Sequence, residues 1–287
     1  MKLVSFRTAQ QERYGVVRED GTVADPRLAD PSLPADLCDL LADRDALRRA
    51  ADAAAGADSA GKLADLDLLP AVPHPGKIIC IGVNYAEHAA ETDTEAPPYP
   101  TVFAKFTNAL SAHGSPIVVP AESGEIDYEA ELAVVIGATA RHVSEDDALD
   151  HVAGYAPFND VTARDWQVRT TQWDLGKSFD TFGPIGPYIT TADEIGDPQD
   201  LTLRLTIDGE VLQEASTSDM IFPVRTLVSY LSSVITLNPG DVIATGTPSG
   251  VGMARDPKRW LRPGDVVRVE ISGLGALENP VVDGGTA

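Results

Sequence analysis

The chain has 287 residues, 43% hydrophobic and 23% charged, a balance that fits a soluble globular protein with one large domain, or one large and one small. Its 44 Asp and Glu outnumber 22 Lys and Arg, and the net charge of −22 repels nucleic-acid phosphates and anionic membranes, so neither is an expected partner. No run of about 18 apolar residues offers a membrane span, no long apolar leader opens the chain, and Cys38 and Cys80 read as reduced thiols of a cytoplasmic protein.

Residues 1–25 read as a β-hairpin, "KLVSFRTA" followed by "RYGVVRED". The Ala-, Leu- and Asp-rich stretch "DLCDLLADRDALRRAADAAAGA" reads as helix. Prolines in "LLPAVPHPGK" then mark a boundary, which places a small α/β leading domain at 1–72 and a larger unit at 73–287. From residue 77 the pattern turns to short apolar runs bounded by Gly, Pro, Asn or Asp. Strands are predicted at 77–82, 101–106, 116–120, 129–137, 186–191, 201–209, 241–246 and 265–275. Helices are predicted only at 84–91, 144–151, 163–172 and 223–234. The class is α+β, mainly β, and not an alternating βαβ fold.

The chemistry gathers in a few segments. In "GEIDYEAELAVVIG", Glu125, Asp127, Glu129 and Glu131 fall at every second position, one face of a strand. Glu125 and Asp127, at the strand's start, are expected to be solvated, while Glu129 and Glu131 adjoin the apolar run and belong deeper. The row reads either as the wet face of an edge strand or as a divalent-metal site. "FNDVTARDWQ" adds Asp160, which is either a third carboxylate or a helix N-cap. Three carboxylates without His or Cys suit Mg²⁺ or Mn²⁺ rather than zinc.

Arg164 follows Asp160 by one turn. Lys177 in "WDLGKSFDTFGPIGP" and Lys105 in "VFAKF" sit in apolar settings of a lysine-poor chain. Each lysine taken alone reads as a side chain whose head reaches water; as a set beside the acids they suggest a pocket for an anionic substrate. His88 and Glu91 in "GVNYAEHAAE" share a helix face at i, i+3, either a surface pair or a general-base pair. "ATGTPSGVG" lacks the Gly-Lys-Ser/Thr ending of a P-loop and reads as a tight turn that offers N–H groups and Thr247 to a carboxylate.

Together with "FAKF", "GKSFDTFGPIGP", "GDVIATGTPSGVG" and "LRPGDVV…ISGLGALENPV", in that order over residues 74–282, these segments resemble the fumarylacetoacetate hydrolase family. The resemblance implies a mixed β-roll catalytic domain, a homodimer, and Mg²⁺ or Mn²⁺ held by Glu129, Glu131 and Asp160. It implies substrate contacts from Arg164, Gln167, Lys177 and Thr247, and a lid dyad, His88 and Glu91, that activates water. The expected substrate is a 2-oxo acid. The first expectation is hydrolysis of a C–C bond in a 2,4-dioxo acid, either of acylpyruvate type or an intermediate of sugar-acid or aromatic catabolism, through a pyruvate enolate stabilised by the metal and Lys177. The alternative is decarboxylation or isomerisation of an oxaloacetate-type acid at the same site, and the third is a silent binding member.

Overall fold

The computed structural model describes residues 1–9 and 11–285. Its central element is the run "AELAVVI", strand Ala130–Ile136, buried at every position. Alternate side chains serve two cores: Leu132, Val134 and Ile136 enter one, Ala133 and Val135 the other. A strand covered on both faces must read as a continuous apolar run, which is why this one shows no polar alternation.

Seven strands position the site: β1 (Lys2–Arg7), β2 (Ile78–Gly82), β3 (Thr101–Ala104), β4 (Ala130–Ile136), β5 (Val152–Asn159), β6 (Ile189–Thr191) and β7 (Val242–Ala244). They lie side by side in the order β1, β6, β5, β4, β7, β2, β3. Outside β1 the sheet continues through Glu12–Val17, Thr22–Ala24 and Ser59–Lys62. β7 runs antiparallel to β4 and parallel to β2. The hairpin expected at the start is present as β1 paired with Glu12–Val17, and β1 also pairs with β6.

A second sheet takes Glu210–Ser216, Thr202–Ile207, Val266–Ile271, Gly275–Asp283 and Ile117–Val119 in that order. Leu203, Leu205, Val267 and Val269 pack with Leu132 and Val134 of β4 and with Leu227 and Leu231 of helix Val224–Val234. On the opposite face of the large sheet, Leu40, Leu41, Ala46 and Ala50 cover Ala133, Val135 and Phe158. Each fully buried Leu or Val contributes about 1.5–3 kcal/mol. The architecture is α+β and mainly β.

Three helical expectations are revised. The stretch read as one helix after residue 35 breaks at Asp43, whose carboxylate caps Arg44–Gly56 by accepting from Asp45 and Ala46 N–H. Residues 144–151 hold only a 3₁₀ turn, Ala148–His151, because the Ser144 hydroxyl engages Asp147 in a local turn instead. The helix expected over 163–172 is confined to Arg164–Gln167, and beyond it Thr170 Oγ1 bonds both the N–H and the carbonyl of Gln172.

Candidate active site

The acidic row is not one regular strand. Ile126–Asp127 pairs with Thr162–Ala163, and β4 begins only at Ala130. Asp127, expected to be solvated, is fully buried. Its Oδ2 accepts from Arg164 Nε at 2.8 Å and Met253 N at 3.0 Å, and its Oδ1 from Gly252 N at 2.7 Å. The loop 250–253 covers it, and no strand pattern encodes that cover. Glu125 is half-buried.

Glu129 and Asp160 meet because β4 and β5 are neighbours in register, Ala130 opposite Asn159. Asn159 Oδ1 accepts from Glu129 N, and Glu129 O accepts from Asp160 N. Asp160 is not a helix cap: Ala163 precedes the short helix. Glu129, Glu131 and Asp160 each present a carboxylate oxygen within 4.8 Å of one another, all buried.

Cations brace two of the three. Lys177 ends the helix Asp174–Lys177, and its Nζ donates to Glu129 Oε2 at 2.6 Å and Asp160 Oδ2 at 2.7 Å. Arg164 Nη2 donates to Glu129 Oε1 at 2.6 Å, and Lys105 Nζ to Asp160 Oδ1 at 2.5 Å. Burial opposes the charge on Lys177, but Asp160 and Glu129 outweigh it and hold the ammonium above the usual lysine range. Burial likewise opposes the Glu129 carboxylate, yet Lys177 and Arg164 hold it below the usual range. Burial pulls Lys105 down, against the pull of Asp160.

Glu131 is the exception. Among the described residues its carboxylate takes one hydrogen bond, from Gly246 N–H, at 3.0 Å to Oε2. Burial, then the neighbouring Asp160 and Glu129, push it well above the usual carboxylate range. Four buried carboxylates, with Asp127, therefore face three buried cations. An oxygen-only donor set with one uncompensated carboxylate fits a hard divalent ion such as Mg²⁺ or Mn²⁺.

The His88–Glu91 pair sits on helix Ala86–Glu91, which follows β2. Asn84 pins the turn between them: its amide bonds Phe222 N and O and Thr245 O. His88 Nδ1 lies 2.8 Å from Glu91 Oε1, and Glu91 Oε2 accepts from Gly250 N at 2.8 Å. A carboxylate at Nδ1 fixes the neutral ring with its proton there and its lone pair on Nε2. His88 is buried, so the pair does not belong to the open surface.

A cavity of about 200 Å³ joins these parts. His88, Glu129, Arg164, Gln167, Lys177 and Thr247 form its polar wall; Val83, Phe103, Val168, Trp173 and Met253 form its apolar wall. Glu131 and Asp160 lie outside the lining, as does Glu91, which stands beside His88. A larger cavity of about 730 Å³, between helix Arg44–Gly56 and Thr191–Glu194, contains none of these residues. Buried carboxylates mark the smaller cavity as the site, against the ordering by volume alone.

One residue of the site escaped the sequence reading. Gln213, from the second sheet, accepts from Ala130 N and donates to Thr247 Oγ1 at 2.8 Å. It leaves the Thr247 O–H free to donate elsewhere. A glutamine in "EVLQEAS" carries no signal of this. Lys105 was noted as a cation, but its bond to Asp160 was not legible.

Residues 77–282 match the family described as fumarylacetoacetate (FAA) hydrolase C-terminal. A mitochondrial oxaloacetate tautomerase of Xenopus laevis is 43% identical over 288 residues, 98% of this chain and 90% of that one. The fumarylacetoacetate hydrolase of Exiguobacterium antarcticum shares the fold with a TM-score of 0.84 at 36% identity, over 99% of each chain. The maleylpyruvate hydrolase of Sphingobium sp. SYK-6, solved with manganese(II) and pyruvate, reaches a TM-score of 0.83 at 36% identity, over 99% of this chain and 100% of that one. The chain belongs to the fumarylacetoacetate hydrolase family, whose members here include hydrolases and a tautomerase.

Proposed function

We propose that the chain is a divalent-cation-dependent enzyme of small 2-oxo acids that works through an enolate at C3. The observation that carries this reading is His88, backed by Glu91, on the wall that also holds Glu129, Arg164, Gln167, Lys177 and Thr247. Glu129, Glu131 and Asp160 would hold Mg²⁺ or Mn²⁺, and such an ion, when bound, draws electron density from the 2-oxo carbonyl and favours the enolate.

The remaining work falls to side chains. Gln167 Oε1 is taken by Arg164 Nη1, so its amide N–H₂ is left for a substrate oxygen. The Thr247 O–H is a second such donor. Lys177, held protonated, stabilises developing negative charge and does not act as a base. His88 Nε2, with Glu91 behind the ring, is the base.

Hydrolysis of the C3–C4 bond of an acylpyruvate is the reading the geometry favours. His88 would take a proton from water, which attacks the C4 carbonyl. Arg164 and Lys177 are each committed to two carboxylates, and Val83, Phe103, Val168, Trp173 and Met253 offer an apolar face, which suits an uncharged acyl group. The Sphingobium enzyme, solved with manganese(II) and pyruvate, supports this reading, since pyruvate is the product expected of such a cleavage. The second reading, isomerisation of an oxaloacetate-type acid, is favoured by the Xenopus tautomerase. It needs the same base and enolate but no water, and decarboxylation shares that enolate. The intact set of site residues weighs against a silent member.

An ultraviolet assay of the Mn²⁺-loaded protein with acetylpyruvate and enol-oxaloacetate in parallel separates these readings. Pyruvate released from acetylpyruvate, abolished by EDTA and reduced about 10²–10⁴-fold in His88→Ala, is the expected result. Loss of enol-oxaloacetate absorbance with no pyruvate formed selects the isomerase. Neither reaction, with Mg²⁺ or Mn²⁺, sinks the proposal.

A further inference from the structure

We infer that Trp173 sets the length of substrate the site admits, restricting it to 2-oxo acids with a short group beyond C4. This inference rests on the 2-oxo-acid reading above and adds a residue with a role of its own. Trp173 precedes the helix that ends in Lys177. The edge of its indole abuts β2 at Gly82: a Cβ added there would come within 2.5 Å of Trp173 Cζ3 and 3.1 Å of Cη2. Only glycine leaves room for a ring there. On its other side the indole meets Phe103 of β3 edge-on, with centroids 5.4 Å apart. Phe103 in turn lies under Lys177, its ring centre 4.9 Å from Nζ.

The backbone is tied as firmly as the ring. Asp174 Oδ1 accepts from Ala104 N at 3.1 Å, which fastens the start of the helix to β3. Gly82, Phe103 and Trp173 all line the cavity, so the indole is a wall held from β2, from β3 and from its own helix. The cavity volume, about 200 Å³, falls below the roughly 300–1,000 Å³ of pockets for drug-sized ligands. The polar groups that would hold the acid head, His88, Glu129, Arg164, Gln167, Lys177 and Thr247, line the same cavity. A longer tail that runs toward β2 and β3 therefore has to displace Trp173, and a shorter one does not.

The test uses binding, so that it does not depend on which reaction the enzyme performs. Mn²⁺-loaded wild type, Trp173→Ala and the gentler Trp173→Leu are titrated calorimetrically with oxalate, pyruvate and 2-oxooctanoate, after circular dichroism has confirmed folding. Wild type is expected to favour pyruvate over 2-oxooctanoate. Trp173→Ala is expected to raise the affinity ratio of 2-oxooctanoate to pyruvate by about tenfold or more, a discrimination within reach of one methylene in a tight pocket. Trp173→Leu is expected to fall between. A ratio unchanged within twofold in both variants, while oxalate and pyruvate still bind, overturns the role of Trp173 and leaves the proposed function standing. Failure of wild type to bind either oxalate or pyruvate overturns the proposed function and this inference with it.

Discussion

Asp127 takes four hydrogen bonds, from Arg164, Gly252, Met253 and the N–H of Tyr128, with no exposure to water. Replacing it by alanine leaves the Arg164 guanidinium half-paired in the core. Asp127→Ala is expected to cost about 3–5 kcal/mol in urea unfolding. A solvated aspartate would cost no more than about 0.5 kcal/mol, which is what the sequence alone implied. Glu131 behaves in the opposite sense. The unfolded chain ionises it near 4.5, but burial and two neighbouring carboxylates raise its folded value well above that. Its penalty is therefore absent below pH 4.5 and grows as the pH rises past it. At pH 7, Glu131→Gln is expected to melt a few degrees above wild type when both are treated with EDTA, at about 2–4 °C per kcal/mol. The same variant is expected to lose the rise in melting temperature that Mn²⁺ gives wild type. A variant less stable than wild type under EDTA would contradict this account. Glu129 and Glu131 were legible in sequence because alternation beside an apolar run is a local signal. The burial of Asp127 was not, because its partners at 252 and 253 lie over a hundred residues away.

The helix Ala86–Glu91 carries the dyad but is only six residues long, too short to hold itself. Its anchors lie in the loop after β7: Glu87 Oε2 accepts from Ser249 Oγ, and Glu91 Oε2 from Gly250 N. Gly250 has φ of +105°, and a Cβ there would meet Leu212 O at 2.1 Å. Gly250→Ala is expected to cost at least about 1–3 kcal/mol and, by moving the anchor of Glu91, to lower the proposed turnover of acetylpyruvate. Equal activity and equal stability in the variant would show that the loop does not hold the helix. The strands at this scale were readable because each is an apolar run closed by turn residues. The short helices were not, because Ser144 and Thr170 compete for the backbone in ways that a count of apolar positions does not register.

Across the whole molecule the charge of −22 repels itself in the folded state. Raising NaCl from 20 to 500 mM, which shortens the screening length several-fold, is expected to raise the melting temperature. A flat response would mean that the acids are already paired. Among the described residues no helix is long and apolar enough to cross a membrane. The mainly β class was legible in the spacing of apolar runs. The order of strands in the sheet was not, since pairing between distant segments leaves no mark on either one.

That order bears on how the protein is made. β7, Val242–Ala244, sits between β4, which follows Glu129 and bears Glu131, and β2, which leads into the His88 helix. A growing chain emerges from the ribosome with both halves of the centre complete well before the strand that joins them. Until residue 244 is free to insert, β2 and β4 each expose an unpaired edge, and a nascent chain stalled short of it would carry the acids and His88 without a common scaffold.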